Sequence, residues 1–333
     1  MSNKKIVSIV GALLMAVSLA FVALRLQAYA MDFAAFASPF VVAGLLVTAV
    51  INGVGIIAAA FNYRALVVAV SGVVVAPVPA VMAYSGSNMY KYIPGGVMFV
   101  LGRNRLAVDN DELSHVKVAL ATLLEGVFVV LAAVLAALLF AAGPAIAHLR
   151  QFPALSIALA ALALTIPVIY AFRNPIKTLF KRLSDGDGLV CAENRETPSA
   201  VAATGKTILN RNTKILRPPF LAKRLSFAFA LISIWGATFW AALALLGQPM
   251  TLGLTLTIIG LYILAWLAGF IIPGVPGGIG IREAALLIIM GGIVDEGILL
   301  SATIAHRTLT VVGDTFAHCI ALFYSRCAKR RNN

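Results

Sequence analysis

The stretch Pro273-Gly274-Val275-Pro276-Gly277-Gly278-Ile279-Gly280-Ile281-Arg282-Glu283 stands between two long apolar runs, 252–272 before it and 284–304 after it. Two prolines and four glycines in eleven residues exclude a regular helix. Backbone that is neither helix nor closed barrel is tolerated at membrane depth only where it lines a cavity or is buried in protein. The segment therefore predicts a broken or re-entrant element inside a helical membrane bundle, with Gly277, Gly278 and Gly280 letting backbone turn sharply and approach a ligand.

The composition agrees. Of 333 residues 61% are hydrophobic and 12% charged, against about a quarter charged in soluble domains. The longest polar stretch, 173–224, is too short to bury a core of its own, which excludes a large soluble catalytic domain. Apolar runs of near-spanning length lie at 6–24, 36–61, 65–84, 116–142, 152–172, 225–246, 252–272, 284–304 and 305–324. The reading is an all-α, multi-pass membrane protein of eight or nine spans forming one membrane domain over 1–333. The run 6–24 is longer than a usual signal-peptide core and reads as an uncleaved first span.

Twenty-six basic residues against 13 acidic ones give +13, directed to anionic headgroups rather than to nucleic acid. Loop 173–224 carries eleven of the basic residues and four acids. The positive-inside rule makes it cytoplasmic, together with the basic tail 325–333, and so places the protein in the cytoplasmic membrane. Within the loop, Ile176, Leu179, Phe180 and Leu183 alternate with Lys177, Lys181 and Arg182, predicting an amphipathic helix over 175–184 on the membrane surface. Five spans before that loop would put Lys4 and Lys5 outside, against the same rule. The weakest span is 65–84, interrupted by Pro77 and Pro79, so 65–106 reads as one irregular unit. Asp295 and Glu296 read as a short loop splitting 284–304.

A second Pro/Gly element supports the first. Lys91-Tyr92-Ile93-Pro94-Gly95-Gly96 is followed by Gly102-Arg103 and then by Glu125 inside a long apolar run. Pro94 precedes Glu125 by 31 positions, and Pro276 precedes Arg307 by 31. A Pro-Gly-Gly element followed at equal distance by an intramembrane charge predicts an internal repeat, a common construction of transporters. A charge at such depth costs roughly 2.5–3.5 kcal/mol on insertion scales and needs a partner. Arg307 is the expected partner of Glu125. Arg307, Asp314 and His318 share one side of the last run and should face the bundle interior. Where helix restarts after Gly280, free N–H groups and Arg282 favour an anion, and Glu283 suits the same helix start as a cap or a ligand contact. No metal or cofactor pattern accompanies these residues, and none is expected; Cys191, Cys319 and Cys327 show no CxxC spacing.

At these residues the chain resembles the flippase-like family named for the transmembrane region of lysylphosphatidylglycerol synthases. Its hallmark Pro-Gly-Gly-x-Gly-x-Arg-Glu-Ala-Ala is matched by 276–285, and an arginine in the following helix by Arg307. Members from envelope-polysaccharide contexts carry Tyr-x-Pro-Gly, Gly-Arg and a helical Glu, matched by Tyr92, Pro94, Gly95, Gly102, Arg103 and Glu125. The resemblance implies a membrane fold with broken helices that translocates or presents an anionic lipid, either a polyprenyl-phosphate-linked glycan or a phospholipid. The synthases add a soluble aminoacyl-transferase domain; this sequence stops at Asn333, so aminoacylation is not expected. The residue reading and the resemblance together give as candidate site Tyr92, Pro94, Gly95, Gly96, Arg103, Glu125, Pro276, Gly277, Gly278, Gly280, Arg282, Glu283, Arg307 and Asp314. Rival readings are an integral-membrane transferase and a non-transporting partner of an envelope glycan-assembly enzyme.

Overall fold

The computed structural model describes residues 38–92, 98–108, 113–149, 218–271 and 276–332. They form eight α-helices: α1 (Pro39–Ser71), α2 (Pro77–Met89), α3 (Met98–Val108), α4 (His115–Leu149), α5 (Pro218–Leu245), α6 (Leu252–Ile271), α7 (Ile281–Met290) and α8 (Glu296–Asn332). Short 3-10 turns at Tyr90–Tyr92 and Pro276–Gly278 follow α2 and α6. No strand occurs among the described residues.

Residues 39–71, 115–141, 218–245 and 252–271 are long and apolar enough to cross a membrane. Phe40, Leu46, Val54, Leu123, Leu139 and Phe323 lie exposed, while Asn52, Arg103, Glu125, Arg282, His306 and Asp314 are buried. Apolar side chains outward and charges inward is the build of a membrane protein: with lipid as solvent the backbone must satisfy itself within helices, even in runs rich in valine and isoleucine.

Several boundaries correct the sequence reading. The run 65–84 is not one segment, since α1 continues through it to Ser71 and stops where Gly72, at φ 77°, donates its N–H to the Val68 carbonyl. Pro77 and Pro79 open α2, where a missing N–H costs no helical hydrogen bond. The predicted split at Asp295 is present, and Asp295 Oδ1 accepts the Ile298 N–H at 3.0 Å. No break separates 304 from 305, because α8 runs through His306 and Arg307. Lys223 and Arg224 belong to α5 rather than to the loop. The run at 6–24, the run at 152–172 and the amphipathic helix at 175–184 lie outside the described residues.

The helices run in opposed halves. Arg224 at the start of α5 meets Asn62 towards the end of α1 at 2.7 Å, and Leu245 at the end of α5 packs on Gly44 near the start of α1, so these two are antiparallel. α2 begins at the end of the bundle where α1 stops, α3 packs against it with Arg103 beside Tyr84 and Ser87, and α4 begins at the same end, where Thr122 meets Tyr63. α6 begins at the other end, and α7 packs back along it with Arg282 beside Gly269 and Tyr262. Asp295, between α7 and α8, donates its N–H to Gln248, between α5 and α6, fixing both loops at one end. Among the described residues, α1–α4 and α5–α8 thus share an order of long helix, second helix, short helix and long helix, with α1 and α5 antiparallel.

Small residues hold the halves together. A Cβ added to Gly313 of α8 would lie 2.7 Å from the Ala49 carbonyl oxygen of α1, so the helix backbones touch, the usual device where lipid supplies no hydrophobic drive.

Candidate functional site

The two turns meet. Gly277 sits at φ 54°, and a Cβ there would lie 3.2 Å from Arg307 Nη2 and 3.5 Å from both the Lys91 carbonyl oxygen and Tyr92 Cδ1. The positive φ favours glycine, and the Arg307 guanidinium leaves a Cβ little room. Gly278, at φ 69°, packs so closely that its Cβ would stand 3.0 Å from Gly269 Cα on α6.

Side chains then stitch the junction. Arg307 Nη1 donates to the Gly277 carbonyl at 2.9 Å and lies 3.6 Å from Glu283. Glu283 also accepts the Gly280 N–H at 2.6 Å, so it caps α7 and pairs with Arg307 at once. Asp314 Oδ2 accepts from Tyr92 Oη at 2.5 Å and from Lys91 Nζ at 2.7 Å. Four residues further along α8, His318 Nδ1 stands 3.2 Å from Ser85 Oγ of α2.

Arg103 is enclosed. Its guanidinium carbon lies 4.2, 4.3 and 4.8 Å from the ring centres of Phe99, Tyr84 and Tyr63. Its Nη1 donates to Glu125 Oε2, and its Nε lies 3.4 Å from Ser87 Oγ. Tyr84 donates to the second Glu125 oxygen at 2.7 Å. The expected pairing of Glu125 with Arg307 is thereby corrected. The return of α3 along α4 brings Arg103 to Glu125, just as the return of α7 brings Glu283 to Arg307. The two halves carry equivalent ion pairs with the charges exchanged.

Arg282 differs from the other cations of the junction. It is 8% exposed and, among the described residues, has no carboxylate within ion-pair distance. Its Nη2 meets His306 Nδ1 at 3.0 Å, and its guanidinium carbon lies 4.8 Å from the Tyr262 ring centre. Because an arginine can only donate, Nδ1 is the acceptor and the ring proton is assigned to Nε2. His306 Nε2 then donates to Thr238 Oγ1 at 3.0 Å, and Thr238 donates to the Trp235 carbonyl at 2.8 Å. The imidazole is neutral in this network. Charges on Arg103, Arg307 and Lys91 are each met by a carboxylate, and that on Arg282 by none. Arg282 Nε and Arg307 Nη2 are also buried without a hydrogen-bond partner.

The structure therefore gathers Tyr92, Gly277, Gly278, Gly280, Arg282, Glu283, Arg307 and Asp314 around one junction, with Arg103 and Glu125 forming a separate enclosed pair. Pro94, Gly95 and Gly96 lie outside the described residues, and Pro276 contributes its backbone to the turn. Sequence reasoning passed over His306, whose position beside Arg307 was its one signal, and Lys91, quoted in the motif but not counted in the site. Thr238 and the tyrosines around Arg103 carry no local signal. No protein-family model matches the chain, and no curated protein does.

Proposed function

We propose that the chain is a multi-pass protein of the cytoplasmic membrane that translocates an anionic, phosphate-bearing lipid, either a polyprenyl-phosphate-linked glycan or a phospholipid. The observation that carries this reading is the uncompensated charge of Arg282, held by a neutral histidine and an aromatic ring. A buried cation without a counter-ion is costly in an apolar bundle, and intramembrane charges of this kind mark ligand pathways. A phosphate would supply the missing negative charge, and the free Nε of Arg282 and Nη2 of Arg307 would supply donors for its oxygens.

The opposed halves support transport over simple binding. At 1.5 Å per residue, α2 is about 20 Å long and the returning helices α3 and α7 about 16 Å and 15 Å, each short of a hydrocarbon core of about 30 Å, which α6 by itself matches. On this reading α2–α3 is a re-entrant hairpin and α6–α7 a full-length helix with a short return, the two entering from opposite faces, with the lipid headgroup passing between their turns. Inverted repeats around a central site are the usual basis of alternating access.

The reading is tested by mass spectrometry of lipids retained after purification in mild detergent. Anionic phospholipid or polyprenyl phosphate should be enriched over zwitterionic lipid, and the enrichment should be lost in Arg282→Ala. Equal retention of both lipid classes by wild type and variant would refute it.

A further inference from the structure

Among the described residues, two ion pairs lie at the junction and a third, Arg103–Glu125, lies apart from it, and they differ in a way that points to function. Arg103–Glu125 and Arg307–Glu283 each join helices within one half, whereas Lys91–Asp314 joins the first turn to α8 of the second half. Arg103 and Glu125 are both locked in, with side chains 3% and 6% exposed. The Lys91 side chain is 33% exposed against 4% for Asp314. Asp314 also has a second donor in Tyr92, so departure of Lys91 would not leave the carboxylate alone.

We infer that Lys91 is a second cation for the phosphate of the ligand, kept by Asp314 until a phosphate takes that place. The inference rests on the proposed Arg282 site and deepens it. Lys91 backbone abuts Gly277, whose carbonyl Arg307 holds, so the lysine belongs to the same junction as the unpartnered Arg307 Nη2. An ammonium on a flexible four-carbon stem can change partner by rotating its own side chain, which a cage-bound guanidinium such as Arg103 cannot do. With Arg282 and Lys91 positive and Asp314 and one phosphate negative, the occupied junction is neutral and suited to a low-dielectric surrounding. The same exchange removes the Lys91–Asp314 ion pair between the halves and leaves the Tyr92 hydrogen bond to Asp314 as the tie across that point.

The test uses full-length protein in phosphatidylcholine vesicles containing an increasing fraction of fluorescent phosphatidylglycerol, and separates half-saturating lipid fraction from maximal rate. Asp314→Asn frees Lys91 and should lower the half-saturating fraction about fivefold, the scale of one partly exposed ion pair that no longer has to be broken. Lys91→Gln should raise it by a similar factor, Lys91→Arg should restore it in part, and the double variant should match Lys91→Gln. A tie with a purely structural role would instead lower the maximal rate in both single variants with half-saturation unmoved, and that result overturns the inference. If Asp314→Asn does not fold, an unchanged half-saturation in Lys91→Gln overturns it by itself. Arg282-dependent saturation that ignores residues 91 and 314 sinks this inference alone; wild-type protein showing no Arg282-dependent saturation sinks the parent reading and this one together.

Discussion

Arg282 and His306 meet through one hydrogen bond, Nη2 to Nδ1 at 3.0 Å, in which the imidazole is the acceptor and the arginine keeps its full charge. A carboxylate in the place of His306 would hold the guanidinium equally well and cancel that charge. The histidine orients Arg282 while leaving it able to attract an anion, and its other nitrogen is anchored through Thr238 to α5.

His306→Glu should therefore abolish selective retention and transport of anionic lipid without lowering thermal stability, since a buried cation gains a counter-ion. His306→Gln, a neutral acceptor, should retain part of the activity. Stability by thermal unfolding in detergent and transport in vesicles separate the two effects; undiminished transport in His306→Glu would show that the charge of Arg282 is not what the ligand reads.

The Arg103–Glu125 pair should behave in the opposite manner. Arg103→Met leaves Glu125 and Tyr84 facing a lost guanidinium in an apolar cage, at a cost of about 3–5 kcal/mol. The double variant Arg103→Met with Glu125→Leu should recover much of the loss. Independent, additive costs in a double-mutant cycle would contradict the pairing.

The turn at Gly277–Gly278 sets a third expectation. Gly278→Val places a side chain at φ 69° and against Gly269, and each fault alone is of the order of 1–3 kcal/mol. Transport should fall to background while α6 and α7 keep their helicity by circular dichroism. Near-normal transport would show that the tips need not approach so closely.

Topology gives a fourth. Cys327, exposed near the end of α8, and Cys191 in the basic loop should both resist a membrane-impermeant thiol reagent in intact cells and react after lysis. Labelling of either in intact cells would reverse the orientation.

Much of this arrangement is legible in the sequence, and the reason is local. The prolines and glycines of 273–280 announce a break because backbone freedom belongs to each residue, and Glu125 or Arg307 stands out because a charge in an apolar run is costly wherever it points. Partnership is different. Glu125 finds Arg103, 22 positions earlier, only because α3 folds back along α4, and the matched 31-residue spacing of Glu125 and Arg307 says nothing of which charges touch. His306 looked like the edge of a span because its partners Arg282, Thr238 and Tyr262 come from three other helices. The same satisfaction lets α8 continue through 304–307, where polarity alone suggested a break.

The central claim is that the uncompensated charge of Arg282 receives a lipid phosphate, and reconstituted transport tests it most directly. Fluorescent phosphatidylglycerol and phosphatidylcholine are compared in vesicles bearing wild type, Arg282→Ala or Arg282→Lys, with protection from a membrane-impermeant quencher as the readout. The account predicts that wild type moves the anionic lipid and not the zwitterionic one, that Arg282→Ala moves neither while remaining folded, and that Arg282→Lys recovers only part, because an ammonium lacks the two-pronged grip of a guanidinium. Normal movement of the anionic lipid by Arg282→Ala, or equal movement of both lipids by wild type, would contradict it.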